Sequence, residues 1–215
     1  MSLSLNLFDN FNDNSENTVL WPSSYNASFA TRAETGGEVV ITLTTATPGS
    51  NYSGYKSGLV SLNNSYAQIE IPTMVSTTTN AQCFLKLSID GSNALQIVKE
   101  AGTLYFQKVV ATTTTSVGSV AYNASTHLWW RIREANGTTY WDTSTDGDAW
   151  TNGASAANPI AVDGLLPEFG AGTYQSEVLP GTAHFDNFNF SLSKPGNIGR
   201  YVVVGNGMSR SEIAS

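Results

Sequence analysis

Hydrophobic and polar residues alternate with a period of two along most of this chain. Val39, Ile41 and Leu43 alternate with Val40, Thr42 and Thr44. Ala67, Ile69 and Ile71 alternate with Tyr66, Gln68 and Glu70, and Cys83, Leu85, Leu87 and Ile89 with Phe84, Lys86 and Ser88. Leu128, Trp130 and Ile132 alternate with Trp129, Arg131 and Arg133. Side chains of a strand point to opposite faces in turn. Each run therefore predicts a strand with one face in a core and the other wetter. β-branched and aromatic residues dominate the runs, as a pleated, half-buried surface favours. No segment shows the i, i+3, i+4, i+7 pattern of an amphipathic helix.

Short turn signals separate the runs. Asp90-Gly91, Ala101-Gly102, Asn136-Gly137 and Asp146-Gly147 stand between or after alternating segments. Such pairs suit tight hairpins, whose central residues take positive φ. Strands spaced by roughly 8–12 residues predict an antiparallel sandwich or barrel. The Thr-rich pieces VSTTTN (75–80) and ATTTTS (111–116) read as loops or sheet edges. No Pro/Gly/Ser-rich linker divides the body, so one domain is expected. After Pro195-Gly196 come a lone β-prone run, Tyr201 to Val204, and a polar tail, which read as an extended arm.

Composition narrows the partners. The chain has 215 residues, 40% hydrophobic and 13% charged, with a net charge of −7. That balance disfavours nucleic acid and gives no attraction to an anionic membrane, so neither is expected as a partner. The single cysteine, Cys83, allows no intrachain disulfide. The opening MSLSLNLFDNFND lacks the features of a signal peptide, and no apolar run reaches a membrane span, so folding in a cytoplasm is expected.

The string FDNFN occurs twice, at 8–12 and 185–189. Chance, an internal repeat, a metal site and two adjacent strands are the available readings. The flanking sequences differ, which argues against a repeat. Asp9, Asp13 and Asp186 offer hard oxygen ligands suited to calcium, although no EF-hand-like run is present. The preferred reading makes both strings strand starts that lie side by side in one sheet, with their phenylalanines inserted between two sheets.

Taken together, FDNF (8–11), WRIREANGTTYWDTSTDGDAW (130–150) and FDNF (185–188) resemble the concanavalin A-like lectin/glucanase jelly rolls, over about residues 5–192. The pattern is also similar to modules of bacteriophage minor tail proteins. The resemblance implies an all-β, two-sheet antiparallel jelly-roll sandwich, read over residues 1–194; the C-terminal extension over 195–215, whose lone apolar run would otherwise be an unpaired edge, is expected to serve assembly.

Glycoside hydrolysis needs two carboxylates at a defined separation. No strand carries an E-x-D-x-E cluster; Glu38, Glu70, Glu100, Glu134, Glu168 and Glu177 stand apart, so the chain is expected not to be an enzyme. His127 and His184 adjoin no nucleophile elbow, and two histidines with one cysteine form no zinc pattern. No cofactor is expected. STDGDAW (144–150) reads as a hairpin turn held by Ser and Asp side chains with Trp150 packed beneath it. Aromatic rings offer the most direct binding chemistry, because sugars stack their C–H faces on them. The carbohydrate-contacting candidates are Tyr52, Tyr55, Trp129, Arg131, Arg133 and Trp141, with Tyr105 as a further ring.

The expected function is a non-catalytic part of a phage-like virion that is structural or contacts a receptor or cell-surface glycan. Its expected partners are other virion proteins and further copies of itself. The alternatives are a soluble carbohydrate-binding module and a remote glycoside hydrolase.

Overall fold

A computed structural model of the chain describes residues 1–44, 48–76 and 79–190. The extension 195–215, and with it the predicted assembly arm, lies outside the described residues. In chain order the strands are β1 (Ser2–Leu3), β2 (Ala30–Thr35), β3 (Glu38–Leu43), β4 (Asn51–Lys56) and β5 (Val60–Ser61). Next come β6 (Tyr66–Thr73), β7 (Ala81–Ser88), β8 (Ala94–Glu100), β9 (Thr103–Val110) and β10 (Thr113–Ala121). The last five are β11 (Trp129–Ala135), β12 (Thr138–Ser144), β13 (Trp150–Ala157), β14 (Asp163–Thr173) and β15 (Thr182–Asp186). Among the described residues the helical structure is one short 3₁₀ turn, Ser4–Asn6.

Two sheets form a sandwich, and their pairing is antiparallel except for the short β1–β5 contact. One sheet has the order β1-β5-β14-β7-β8-β9-β10, with β4 also paired to β14. The other has the order β13-β12-β11-β6-β15-β3-β2. Of the sandwich or barrel that the alternation predicts, this is the sandwich, in the jelly-roll form that the resemblance implies. The predicted turns connect neighbours: Asn136 and Gly137 take φ of 51° and 80° between β11 and β12, and Ala101 and Gly102 take 42° and 83° between β8 and β9. The Thr-rich run 111–116 enters the exposed edge strand β10.

The core follows from the alternation. Val39, Ile41, Ala67, Ile69, Ile71, Cys83, Leu85, Leu87, Trp130 and Ile132 are all buried in one cluster between the sheets. Each large side chain so buried contributes about 1.5–3 kcal/mol. An aromatic group closes one part of this core. Phe169 of β14 stacks on Tyr55 at 5.4 Å between ring centroids and meets Trp21 edge-on at 5.2 Å. Phe11, Phe185 and Phe188 complete the group.

The two FDNFN strings do lie side by side. Asp9 and Phe188 form an antiparallel bridge, with the Asp9 amide donating to the Phe188 carbonyl at 2.9 Å. The expectation that both are strand starts needs correction. The first belongs to no named strand, and the second begins in the last two residues of β15 and runs off its end. Positive φ falls at Phe11 in the first string and at Asn187 and Asn189 in the second, so equal letters adopt unequal backbones. Phe11, Phe185 and Phe188 are fully buried, whereas Phe8 is exposed.

Lys99 is completely buried at one margin of the core. Its ammonium donates to the Ser76 carbonyl at 2.5 Å and approaches the Val75 carbonyl at 3.4 Å, so it ties the 75–76 turn to β8. Burial holds its pKa below the usual lysine range.

Candidate functional site: a groove on the outer face of the eight-stranded sheet

The strands β4, β14, β7, β8 and β9 lie side by side, and their registers set up rows of side chains across the outer face. One row reads Lys56, Glu168, Lys86, Gln96 and Gln107. The next reads Gly54, Gly170, Phe84, Val98 and Tyr105, and the third Tyr52, Gly172, Gln82, Glu100 and Thr103. The glycines on β14 are the reason this face is hollow. A Cβ on Gly170 would stand 2.9 Å from the Phe84 ring, and one on Gly172 would stand 2.3 Å from the Tyr52 ring. Both rings therefore lie low over the backbone of β14, in edge contact with each other at 6.0 Å. Tyr25 enters from the preceding loop, held by paired backbone hydrogen bonds to Gly54.

The result is a depression of about 400 Å³ lined by Tyr25, Tyr52, Gln82, Phe84, Lys86, Gln96, Val98, Gln107 and Glu168. Its polar groups are held in place. Tyr52 donates to Gln82 Oε1 at 2.8 Å, Gln82 donates to Glu100 at 2.6 Å, and Gln96 donates to Gln107 Oε1 at 2.7 Å. Glu168 accepts the Tyr25 hydroxyl at 2.5 Å on one oxygen, and its other oxygen faces the Lys56 ammonium at 3.5 Å. Burial, reinforced by the Glu168 charge, pushes the Tyr25 phenol far above its usual range, so it stays a donor. Burial likewise pushes Tyr52 up to about 12. Glu100 stands four residues and two strands from Glu168, about 16 Å between Cα atoms at usual strand spacings. Rings, primary amides, a carboxylate and cations on one rigid sheet are the groups that bind hydroxyl-rich ligands.

The sequence-based candidates fall in three places. Tyr52 lines this groove. Tyr55, the next residue but two, faces inward. It is 1% exposed, it stacks in the aromatic core, and its hydroxyl donates to Glu34 at 3.0 Å. Trp141 is wholly buried in the core, opposite Ile132 in register. Tyr105 continues the Phe84–Val98 row at the rim of the groove.

Trp129, Arg131 and Arg133 share the outer face of the other sheet, as alternation predicts, but they form no open platform. Trp129 is 1% exposed because the β12–β13 turn folds over it, so closely that a Cβ on Gly147 would stand 2.9 Å from its ring. The expected place of Trp150 is corrected by the same contact. Trp129 packs beneath the STDGDAW turn, while Trp150 sits beside it and donates its indole N–H to the Gly147 carbonyl. Ser144 and Asp146 hold the turn through their side-chain oxygens, as predicted. Arg131 lies 3.9 Å over the Trp150 ring and Arg133 3.8 Å over Tyr140. Both guanidinium groups also donate to one buried oxygen of Asp142, at 2.8 and 2.7 Å.

The three calcium candidates are engaged elsewhere. Asp9 accepts the Phe11 amide and the Trp21 indole N–H, Asp13 accepts the Ser15 amide, and Asp186 accepts from Asn187. Among the described residues no group of three His, Cys, Asp or Glu side chains is placed to hold a metal ion. His184 lies 2.6 Å from Glu38, and His127 accepts the Asn123 amide.

Glu34 gives a pH prediction. One of its oxygens, Oε2, is buried without a hydrogen-bond partner. Burial most of all, with the Asp9 and Asp13 charges in addition, pushes its carboxyl up to about 7 against the hydrogen bond from Tyr55. Burial raises Asp186 to about 6 in the same region. The unfolded chain loses these protons near the ordinary carboxylate values, and the folded chain keeps them to higher pH. Stability should therefore fall as pH rises from about 4.5 to about 7. Melting temperatures across this window should show the decline, and Glu34→Gln should reduce it. A melting temperature that rises with pH in wild type would contradict the assignment.

Neither a protein-family model nor a curated protein matches this chain in sequence. Solved structures do share its fold. A Flavobacterium laminarinase superposes with a TM-score of 0.59 at 9% identity, over 84% of this chain and 96% of that one. A Bacillus licheniformis β-glucanase gives 0.55 at 12% identity, over 84% and 96%. A Bacteroides ovatus GH43 protein from a xyloglucan locus gives 0.57 at 12% identity; the match spans 84% of this chain but 38% of that one. Likeness at these identities establishes the fold alone, a two-sheet jelly-roll sandwich. The expected likeness to phage tail modules gains no support from these structures.

These neighbours also correct the expectation that the chain is not an enzyme. That expectation rested on the lack of clustered acids along any one strand. Glycoside hydrolases use this fold, and it seats Glu168 in a groove among residues contributed by five different segments. Linear spacing does not reveal such an arrangement.

Proposed function

We propose that this protein binds a saccharide in the groove on the outer face of the eight-stranded sheet. The observation that carries the reading is the groove itself: low-lying Tyr52 and Phe84 rings beside an ordered ladder of Gln82, Gln96 and Gln107 amides. Rings supply stacking surface for sugar C–H faces, and primary amides supply paired donors and acceptors for hydroxyls. The glycan-related descriptions of the fold's neighbours accord with it. A glycan array followed by calorimetric titration of the best ligand tests the reading. Tyr52→Ala and Gln96→Ala should each weaken binding about tenfold, a loss near 1.4 kcal/mol. Arg133→Ala, on the opposite outer face, should leave it unchanged. The reading fails if no glycan binds, or if Tyr52→Ala and Gln96→Ala bind like wild type.

A second reading is glycoside hydrolysis, which the fold's hydrolase neighbours favour; Glu168 is the one carboxylate of the groove lining, and Glu100, about 16 Å away, is too distant to be its partner acid. Release of reducing sugar from laminarin, lichenan or arabinoxylan, lost in Glu168→Gln, is its signature. The virion role and a virion location rest on the sequence resemblance, and assembly with virion proteins or further copies rests on it together with the lone apolar run of the C-terminal extension.

A further inference from the structure

Two cations flank Glu168, Lys56 on β4 and Lys86 on β7, and Lys86 lines the groove. The Lys56 ammonium is matched to Glu168 at 3.5 Å. Lys86 sits one strand further in, half-buried on β7, with Glu168 and Gln96 as its register partners. Neither partner pairs with its ammonium. Glu168 takes the Tyr25 hydroxyl on Oε1 and faces Lys56 with Oε2. The Gln96 amide donates to Gln107. Among the described residues, nothing forms a hydrogen bond or an ion pair with the Lys86 ammonium. Glu100, the other carboxylate on this face, is held at the far row by Gln82 and Tyr174.

A lysine on a sheet face is stabilised by a carboxylate directly across on the next strand. Here that carboxylate is engaged by Tyr25 and Lys56, and Lys86, the one cation of the groove lining, carries a charge that no described residue pairs. The charge lies between the aromatic floor and the amide ladder. An occupant that satisfies all three must present C–H faces, hydroxyls and an anionic group within one small unit.

We propose that the saccharide is acidic, a uronic-acid-containing glycan whose carboxylate pairs with Lys86 while its ring lies against Tyr52 and Phe84. This rests on the saccharide reading above and specifies its ligand class. The pairing is charge-assisted and partly shielded from solvent, which makes it stronger than an exposed surface pair.

The test is calorimetric titration with oligogalacturonates and with alginate oligomers, each beside its carboxyl-reduced, neutral counterpart. At least one uronate should bind about tenfold or more tightly than its reduced form. Its affinity should fall as salt is raised, and that of the reduced form should not. Lys86→Met, with an unchanged melting temperature, should abolish the preference, and Lys86→Arg should keep it. Reduced oligomers that bind as well as uronates overturn the inference while leaving the saccharide reading intact. So does a preference that survives Lys86→Met. If the same titrations find a sulfated glycan alone bound through Lys86, the carboxylate assignment is wrong. If neither charged nor neutral saccharides bind, both readings fall together. Should Lys86→Met fail to fold, the comparison of uronate and reduced oligomer in wild type still decides.

Discussion

Replacing Phe169 with alanine is expected to cost about 4 kcal/mol of stability, a large share of what holds a single domain folded. The ring is fully buried and touches five others: Phe11, Trp21, Tyr55, Phe185 and Phe188, with centroids 5.1 to 5.8 Å away. These rings come from distant parts of the chain, namely the N-terminal segment, β4, β14, and β15 with the residues after it. Truncation removes apolar area, opens a cavity that rigid neighbours cannot close, and deletes several aromatic pairs at once. The anchoring of the first twenty residues should suffer most, because Phe11 and Trp21 tie them to this cluster. Urea unfolding measures the loss, and hydrogen exchange should locate it in residues 9–25. Phe8→Ala is the control. That ring is 58% exposed, and its loss should change stability by less than about 0.5 kcal/mol. A shift below about 1 kcal/mol for Phe169→Ala would mean that the cluster is not the keystone of this core.

Gly170→Ala should destabilise by about 3 kcal/mol although it adds a single methyl group. The new Cβ would lie 2.2 Å from the Ser53 carbonyl oxygen and 2.8 Å from the Gly54 Cα. Both are backbone atoms of the neighbouring strand, so neither yields by a rotamer change. Relief requires β4 to part from β14, and β4 carries Tyr52. The same substitution also presses on the Phe84 ring, 2.9 Å away. Stability and saccharide binding should therefore fall together, unlike in Gln96→Ala, where binding should fall with little loss of stability. Urea midpoints and ligand titration at a temperature where the variant remains folded separate the two. A variant with wild-type stability would show that β4 and β14 have room between them for a side chain.

The proposals for the groove depend on that apposition. Small residues on β14 let the Tyr52 and Phe84 rings, edge-on to each other, come down onto its backbone, which leaves room above them. Residues on β7, β8 and β9 then supply amides and charge at fixed spacing. A rigid sheet holds such groups more firmly than a loop does, which lowers the ordering cost when a ligand arrives.

The strands, their inward faces and most turns were legible in the sequence, because the period of two and the Asn-Gly and Asp-Gly pairs act over a few residues. Val39, Ile41, Leu85, Leu87, Trp130 and Ile132 were placed in the core by alternation alone, and all are buried. The pairing of the two FDNFN strings was also readable, though not their backbone shapes, since tertiary contacts impose different φ values on identical residues. The site was mostly not legible. Alternation marks Gln82, Phe84, Lys86, Gln96 and Gln107 as outward, but it does not say which outward faces stay open. Trp129 faces outward too, yet the turn after the next strand folds back and covers it. Tyr55 and Trp141 looked like binding rings because ring chemistry is the same in a core and in a cleft. The glycine spacing in Phe169-Gly170-Ala171-Gly172 was the one local hint of close approach. What remained for the tertiary structure was the strand order. Setting β14 between β4 and β7 brings Glu168 beside Lys56 and Lys86. Those partners lie more than eighty residues away along the chain, where no local periodicity reaches.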